Sequence, residues 1–350
     1  MKVINVVVAD SSPAVCRLIK SYLESAADIR VIGTARQGQE IIELVETQHP
    51  DVITMGLEMP DMNGVDALKI IQQIRSTPAI VISSANTHAA AKTVEALHYG
   101  AVDFVFKFTP GKAIEPETLR QEIINKVRIA SYLNPSSLAE ETSAPHIAPG
   151  KLLPEMKPDA PPENSPEKVI VVGASMGGPI ALRQMLSQLP AHYPGSVIVV
   201  QQLPPAFTSV LAEQLHEQLS LPVKEIEAGK PVRPGIIFIT PGQSHLQIGQ
   251  EGNFHLRAAA ATESNCPSID VTMQSVAEVY EAKARGVLLT GMGEDGLTGL
   301  AAIRQHGGTT FVQAPETCTA PRMPQRAIDA GVADHIASPD RIAHLLLEGY

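Results

Sequence analysis

The chain has 350 residues, 27 Lys and Arg against 37 Asp and Glu, a formal net charge of -10, and 44% hydrophobic residues. That length and apolar content suit two globular domains, each with a core to bury, while the acid excess argues against a nucleic-acid binder, which needs Lys and Arg gathered on one face. Cys16, Cys266 and Cys318 lie far apart, without metal-ligand or disulfide-framework spacing, so free thiols in a reducing cytosol are expected and a catalytic thiol is not.

The apolar run that opens the chain, Val3 to Ala9, is too short for a signal-peptide core and is broken by Asn5. No segment approaches the length of a membrane-spanning helix, so no membrane insertion and a cytoplasmic location are expected. From Val3 to about Tyr132, short β-branched runs alternate with helical patterns, and Val3–Ala9, Ile29–Thr34, Asp51–Met55, Ala79–Ser83 and Val102–Phe106 read as strands. Such nearly continuous apolar strands predict a parallel sheet covered on both faces, with its chemistry at the strands' carboxyl ends. Those ends are Ala9–Asp10, Met55–Gly56, Ser83–Ser84 and Lys107.

Residues 133–167 lose all apolar periodicity and fill with Pro, Ser, Ala and Glu, which predicts an extended linker. After Lys168 the alternation resumes, with strands at Val169–Val172, Val197–Val200, Ile236–Ile239 and Val287–Leu289 and helices starting near Gly177, Pro205, Ser268 and Gly296. The expected architecture is α/β throughout: a (βα)5 domain over 1–132, the linker, and a doubly wound, mostly parallel domain over 168–350.

Gly173-Ala174-Ser175-Met176-Gly177-Gly178-Pro179 sets a serine on the turn between an apolar strand and a helix. Small neighbours let the backbone bend sharply, and the helix start aims unpaired N–H groups and a positive dipole end at whatever the hydroxyl attacks. A plain glycine-rich turn and a dinucleotide fingerprint are the competing readings. The fingerprint fits poorly, because Ser175 stands where its second glycine lets a pyrophosphate approach.

The first domain resembles a response-regulator receiver. The resemblance rests on Val8-Ala9-Asp10-Ser11-Ser12, on the strand and loop from Pro50 to Gly64, on Ser83 or Ser84 at the switch hydroxyl, Ser83 by strand position, and on Gly100-Ala101-Val102-Asp103-Phe104-Val105-Phe106-Lys107. It implies a flavodoxin-like fold with remnants of the family site at Asp10, Ser83 and Lys107. Gly56, however, takes the phosphoacceptor place and offers no side chain to phosphorylate, and Ala9 replaces one acid of the metal corner. Phosphoryl transfer needs a carboxylate nucleophile and an acidic cluster for Mg²⁺. A pseudo-receiver without phosphorylation, metal or other cofactor is therefore expected, with Lys107 solvated or paired to Asp10 and with Glu58 and Asp61 displaced in the loop beyond.

From Lys168 onward the chain resembles the catalytic domain of the chemotaxis protein-glutamate methylesterases, which also deamidate receptor glutamines. The matching segments are the Ser175 turn, Leu203-Pro204-Pro205-Ala206-Phe207-Thr208, Pro241-Gly242-Gln243-Ser244-His245-Leu246, Pro267-Ser268-Ile269-Asp270 and Leu289-Thr290-Gly291-Met292-Gly293-Glu294-Asp295-Gly296. The resemblance implies Ser175 as nucleophile, Asp295 as the carboxylate that orients the base, and Met176, Gly177 and Met292 on the oxyanion and substrate side. Met176 stands where the family usually has threonine.

The family's general-base histidine falls at Gln202, whose amide cannot take the serine proton near neutral pH. His245 is the candidate substitute base, whereas His192, His216 and His255 read as surface residues. The expected function is that of a methylesterase-family response regulator with phosphorylation lost and hydrolysis weak or absent. Chemoreceptor cytoplasmic domains are the implied partner, with a chemotaxis-type histidine kinase as a second. An esterase or amidase working through a relocated base is the alternative. A transcriptional regulator is disfavoured, because no basic recognition helix follows the linker.

Overall fold

The computed structural model describes residues 3–84, 86–108, 115–132, 166–260, 263 and 266–348. The chain divides into two compact units, Met1–Ala144 and Pro145–Tyr350. Residues 133–165, nearly all of the expected linker, lie outside the described residues.

In the first unit, strands β1 (Ile4–Ala9), β2 (Ile29–Ala35), β3 (Val52–Met55), β4 (Ala79–Ser84) and β5 (Ala101–Phe108) alternate with helices α1 (Pro13–Glu24), α2 (Gly38–Gln48), α3 (Gly64–Ile74), α4 (Thr87–His98) and α5 (Pro116–Ala130). The sheet order is β2-β1-β3-β4-β5, with every pair parallel. Val6, Val7, Val8, Val52, Ile53 and Met55 are fully buried, as strands covered on both faces require. Helix α1 begins where the Ser12 hydroxyl accepts the Val15 N–H and Pro13 supplies a preset φ at the first position. Strand order reverses between β1 and β3, so the crevice at their carboxyl ends receives Asp10 and Gly56.

The second unit is built on a seven-stranded parallel sheet in the order β14-β13-β12-β6-β7-β9-β8. Its strands are β6 (Val169–Ala174), β7 (Ser196–Gln201), β8 (Val223–Glu225), β9 (Ile237–Ile239), β12 (Ala284–Leu288), β13 (Thr309–Gln313) and β14 (His335–Ala337). Strands β10 (Ser244–Ile248) and β11 (Phe254–Ala258) form a separate antiparallel hairpin. Helices α6 (Gly178–Leu186), α7 (Pro205–Gln218), α8 (Ile269–Tyr280), α9 (Leu297–Gln305), α10 (Arg322–Asp329) and α11 (Pro339–Leu347) complete the fold. The central strands β6 and β7 are buried along their whole length. The order runs to β7 on one side of β6 and to β12 on the other. Ser175 after β6, Gln202 after β7 and Asp295 after β12 therefore share the carboxyl end of the sheet, at the switch in strand order.

The structure adds β8, β10, β11, β13, β14, α10 and α11 to the elements expected from sequence. Strands β8 and β14 have three residues each and form the two sheet edges, too short and too exposed for periodicity to register. The motif segment 241–246 ends in a strand: Ser244 opens β10, so His245 lies on a strand whose Leu246 and Ile248 are buried.

Candidate functional site

At the carboxyl end of the first sheet, Asp10 is only 2% exposed. Its Oδ1 accepts the Ser12 N–H at 2.9 Å and its Oδ2 accepts from Lys107 Nζ at 2.8 Å. A Cβ added at Gly56 would stand 2.8 Å from that same Oδ2, inside normal contact distance. The Ser83 hydroxyl is buried and lies 2.8 Å from Thr93 Oγ1, so it is engaged with α4.

Glu58 is highly exposed, near Lys92 at 3.8 Å and His88 at 4.0 Å. Asp61 caps α2, taking the Gly38 N–H at 2.7 Å and the Gln39 N–H at 2.9 Å, and these bonds hold its carboxyl below the usual carboxylate range. The Asp61 carboxylate is thus engaged with α2, whereas Glu58 stands exposed at the rim of the crevice lined by Gly56, Ser83 and Lys107. The donor set does not fit Mg²⁺: one acid remains at the corner, Ala9 and Gly56 contribute no side-chain oxygen, and both oxygens of Asp10 already accept hydrogen bonds.

At the second sheet, the Ser175 turn is held from several sides. The Ser175 N–H donates to Thr290 O at 3.0 Å, and the Ser175 carbonyl accepts from the Gly178 N–H at 2.9 Å and from Gln201 Nε2 at 2.8 Å. Thr290 Oγ1 donates to the Met176 carbonyl at 3.0 Å and accepts the Ala320 N–H at 2.8 Å. Gly177 has φ +73°, a conformation that favours glycine, and the Thr319 side chain fills the space a Cβ would need there. Helix α6 begins at the next residue, so its first-turn N–H groups follow directly on the Ser175 turn. Met176 and Met292 are half-buried alongside.

Asp295, 6% exposed, is saturated by four donors. Oδ1 accepts from Ser268 Oγ at 3.1 Å and the Asp270 N–H at 2.9 Å, and Oδ2 accepts from the Ile269 N–H at 2.8 Å and from Gln202 Nε2 at 2.9 Å. Four bonds fill the acceptor sites of a carboxylate. Because Asp295 only accepts, the amide nitrogen of Gln202 must face it, which leaves Gln202 Oε1 as the acceptor at the amide's other end. The Gln202 N–H donates to Ala174 O at 3.2 Å, fixing the residue beside the Ser175 turn.

His245 is 3% exposed. Its Nδ1 accepts the Ser268 N–H at 3.3 Å, which places the ring proton of the neutral form on Nε2. Nε2 lies 3.3 Å from Glu263 Oε2, at ion-pair distance but off the line of a hydrogen bond. Both ring nitrogens thus face groups other than Ser175, whereas a general base has to reach the proton it removes. Glu263 is drawn down to about 2, first by the hydrogen bonds from Arg257 and then by the Ala260 N–H. His192, His216 and His255 are exposed.

Sequence reasoning assigned no part to Gln201, Thr290, Thr319, Ser268 or Asp270. Ser268 carried a signal, as an N-cap residue ahead of an apolar helical run; its hydroxyl accepts the Val271 N–H at 3.3 Å. The others act through contacts between distant segments. Among the described residues no group of three or more His, Cys, Asp or Glu is placed to hold a metal, and no helix there is long and apolar enough to cross a membrane.

Comparison with known proteins finds relatives over both domains. Residues 170–346 match the family model of the CheB methylesterase, and residues 6–123 match that of the response regulator receiver domain. The chain is 36% identical over 350 residues to the protein-glutamate methylesterase/protein-glutamine glutaminase of Thermotoga maritima, covering 99% of this chain and 98% of that protein. To the protein of the same name from Archaeoglobus fulgidus it is 35% identical over 330 residues, covering 93% and 92%. The crystal structure of the Thermotoga maritima CheB methylesterase catalytic domain superposes with a TM-score of 0.50 at 38% identity, over 52% of this chain and 98% of that one.

Proposed function

The chain belongs to the receiver-containing family of protein-glutamate methylesterases/protein-glutamine glutaminases, and from that premise we propose that it binds chemoreceptor methylation sites in the cytoplasm while hydrolysing them little or not at all. One observation carries the reading: Gln202 Nε2 donates to Asp295 Oδ2 at 2.9 Å. On this reading the amide stands at the base position, holding the acid's hydrogen bond without the capacity to accept a proton. Its free end is an acceptor, able to take a hydrogen bond from a hydroxyl but not to generate an alkoxide.

Ser175 keeps its turn, its helix start and its oriented backbone, which are the parts that bind an acyl carbonyl. Loss of the base from a serine hydrolase costs on the order of 10⁶ in turnover, and what remains comes from binding and the oxyanion hole. On the receiver side, Gly56 has no group to phosphorylate, and Lys107 already neutralises Asp10. Regulation by phosphoryl transfer is accordingly absent from this reading.

The test is methanol release from methylated receptor cytoplasmic fragments, with the full chain, Ser175→Ala and Gln202→His compared. The reading expects the first two to be indistinguishable and Gln202→His to gain turnover. Methanol release by the natural chain that Ser175→Ala abolishes would overturn it in favour of a relocated base.

A further inference from the structure

Asp295 and Asp270 exchange caps. Asp295 follows β12 and accepts the first two N–H groups of α8, those of Ile269 at 2.8 Å and Asp270 at 2.9 Å. Asp270, in the first turn of α8, turns its own side chain the other way: Oδ1 accepts the N–H of Gly296 at 2.9 Å and that of Gly299 at the start of α9, at 2.6 Å. Each carboxylate satisfies orphan donors of the helix that carries or follows the other.

The exchange leaves no slack on either side. Gly296 has φ +99°, and a Cβ there would press on Leu288 Cδ1 at 2.5 Å and Ile269 Cγ2 at 3.1 Å. A Cβ on Gly299 would meet Met273 Cβ at 2.6 Å and the Cα of Asp270 at 3.2 Å. The loop bearing Asp295 is thus pressed against the start of α8. Asp270 is the side chain that ties the following residue, Gly296, to that helix.

We infer that Asp270 is a positioning residue, whose carboxylate fixes the turn after Asp295 and thereby sets the hydrogen bond between Asp295 and position 202. It touches neither Gln202 nor Ser175 in any contact described above and acts through Asp295. Burial and the neighbouring Asp295 raise its carboxyl above the ordinary range, in keeping with a group enclosed between two helix starts. The inference rests on Asp295 being the family's base-orienting acid, not on whether this chain hydrolyses anything.

The test reads the Gln202–Asp295 bond itself in the full chain, through the side-chain amide resonances of ¹⁵N-glutamine-labelled protein, with the Gln202 signal identified by its loss in Gln202→Ala. In Asp270→Ala the hydrogen-bonded Gln202 proton should shift toward the free-amide position. Its exchange with water should accelerate about tenfold or more, the scale of a lost charge-assisted bond. Asp270→Asn retains an acceptor oxygen for Gly296 and Gly299 and should keep the signal. Should Asp270→Ala fail to fold, Asp270→Ser, which keeps a short polar side chain in the first turn but cannot span both donors, replaces it with the same expectation.

An unchanged Gln202 signal in a destabilised Asp270→Ala or Asp270→Ser would make Asp270 a helix cap only and overturn the inference. Methanol release by the natural chain that Ser175→Ala abolishes would overturn the proposed function without touching this one, since the amide signal does not depend on turnover.

Discussion

Lys107 Nζ and Asp10 Oδ2 are 2.8 Å apart, and the oxygen that Lys107 holds is the one a Cβ at position 56 would approach to 2.8 Å. A side chain at position 56 would therefore crowd the very oxygen that Lys107 holds.

Restoring the acceptor alone should therefore not restore phosphorylation. Incubation with acetyl phosphate and Mg²⁺ followed by intact mass should give no phosphoryl adduct for the natural chain. Gly56→Asp should likewise give none, because Ala9 still leaves the metal corner one acid short. That substitution sets a second carboxylate against buried Asp10 and should cost roughly 1–3 kcal/mol in urea unfolding. Lys107→Met, which leaves Asp10 unpaired, should cost about 2 kcal/mol. That is below the ~3–5 kcal/mol of a fully enclosed pair, because the Lys107 side chain is 31% exposed.

At the serine site, Gln202→Ala removes one of four donors to Asp295 and should lower stability by about 1–2 kcal/mol, with no loss of methanol release beyond that of the natural chain. Gln202→His is expected to gain turnover, because the Ser175 turn and the Asp295 acid stand at the same carboxyl end of the sheet. Equal rates for the natural chain and Gln202→His would remove Gln202 from the explanation.

Gly178 stands against the Gln201 side chain, whose Nε2 donates to the Ser175 carbonyl at 2.8 Å. Gly178→Ala should displace that amide and release the carbonyl, at a cost of about 1–3 kcal/mol. In a Gln202→His background it should also lower kcat more than it raises KM, since the hydroxyl moves relative to the helix start. A variant with unaltered melting temperature and kcat would show that Gln201 has no part in holding the turn.

The Arg257–Glu263 pair gives a pH signature with a definite sign. Glu263 falls from an ordinary 4.5 to about 2 in the folded chain, chiefly through the Arg257 hydrogen bonds, so the folded state holds its proton less tightly than the unfolded state. Its contribution to stability is present above about 4.5 and is lost as pH falls through about 2. Urea midpoints of Glu263→Gln and the natural chain should accordingly differ at pH 6 and converge toward pH 2. A gap that is constant over this range would assign the effect to packing. The exposed rim position of the pair predicts that 1 M salt narrows it.

Much of the molecule was legible in its residues. Continuous apolar runs between amphipathic segments report parallel strands buried on both faces, so β1, β3, β4, β6 and β7 follow from local pattern. Ala9, Gly56 and Gln202 can be read as residue types wherever a motif places them. A position without a carboxylate or imidazole cannot do acid, base or acceptor chemistry in any fold. Short edge strands such as β8 and β14 escape this reading, because three half-exposed residues carry no period.

What the tertiary structure alone decided is which groups satisfy one another. Lys107 and Asp10 meet across 97 positions and Gln202 and Asp295 across 93, separations over which spacing carries no geometric information. His245 was a candidate base by its motif, and the fold engages its Nδ1 with Ser268 and sets its Nε2 beside Glu263, without a hydrogen bond. Asp270, one motif residue among several in sequence, became the partner of Asp295 only when two helix starts were packed against each other. Hydrogen-bond donors and acceptors are written in the sequence, but buried groups must be paired, and the pairing is settled by packing.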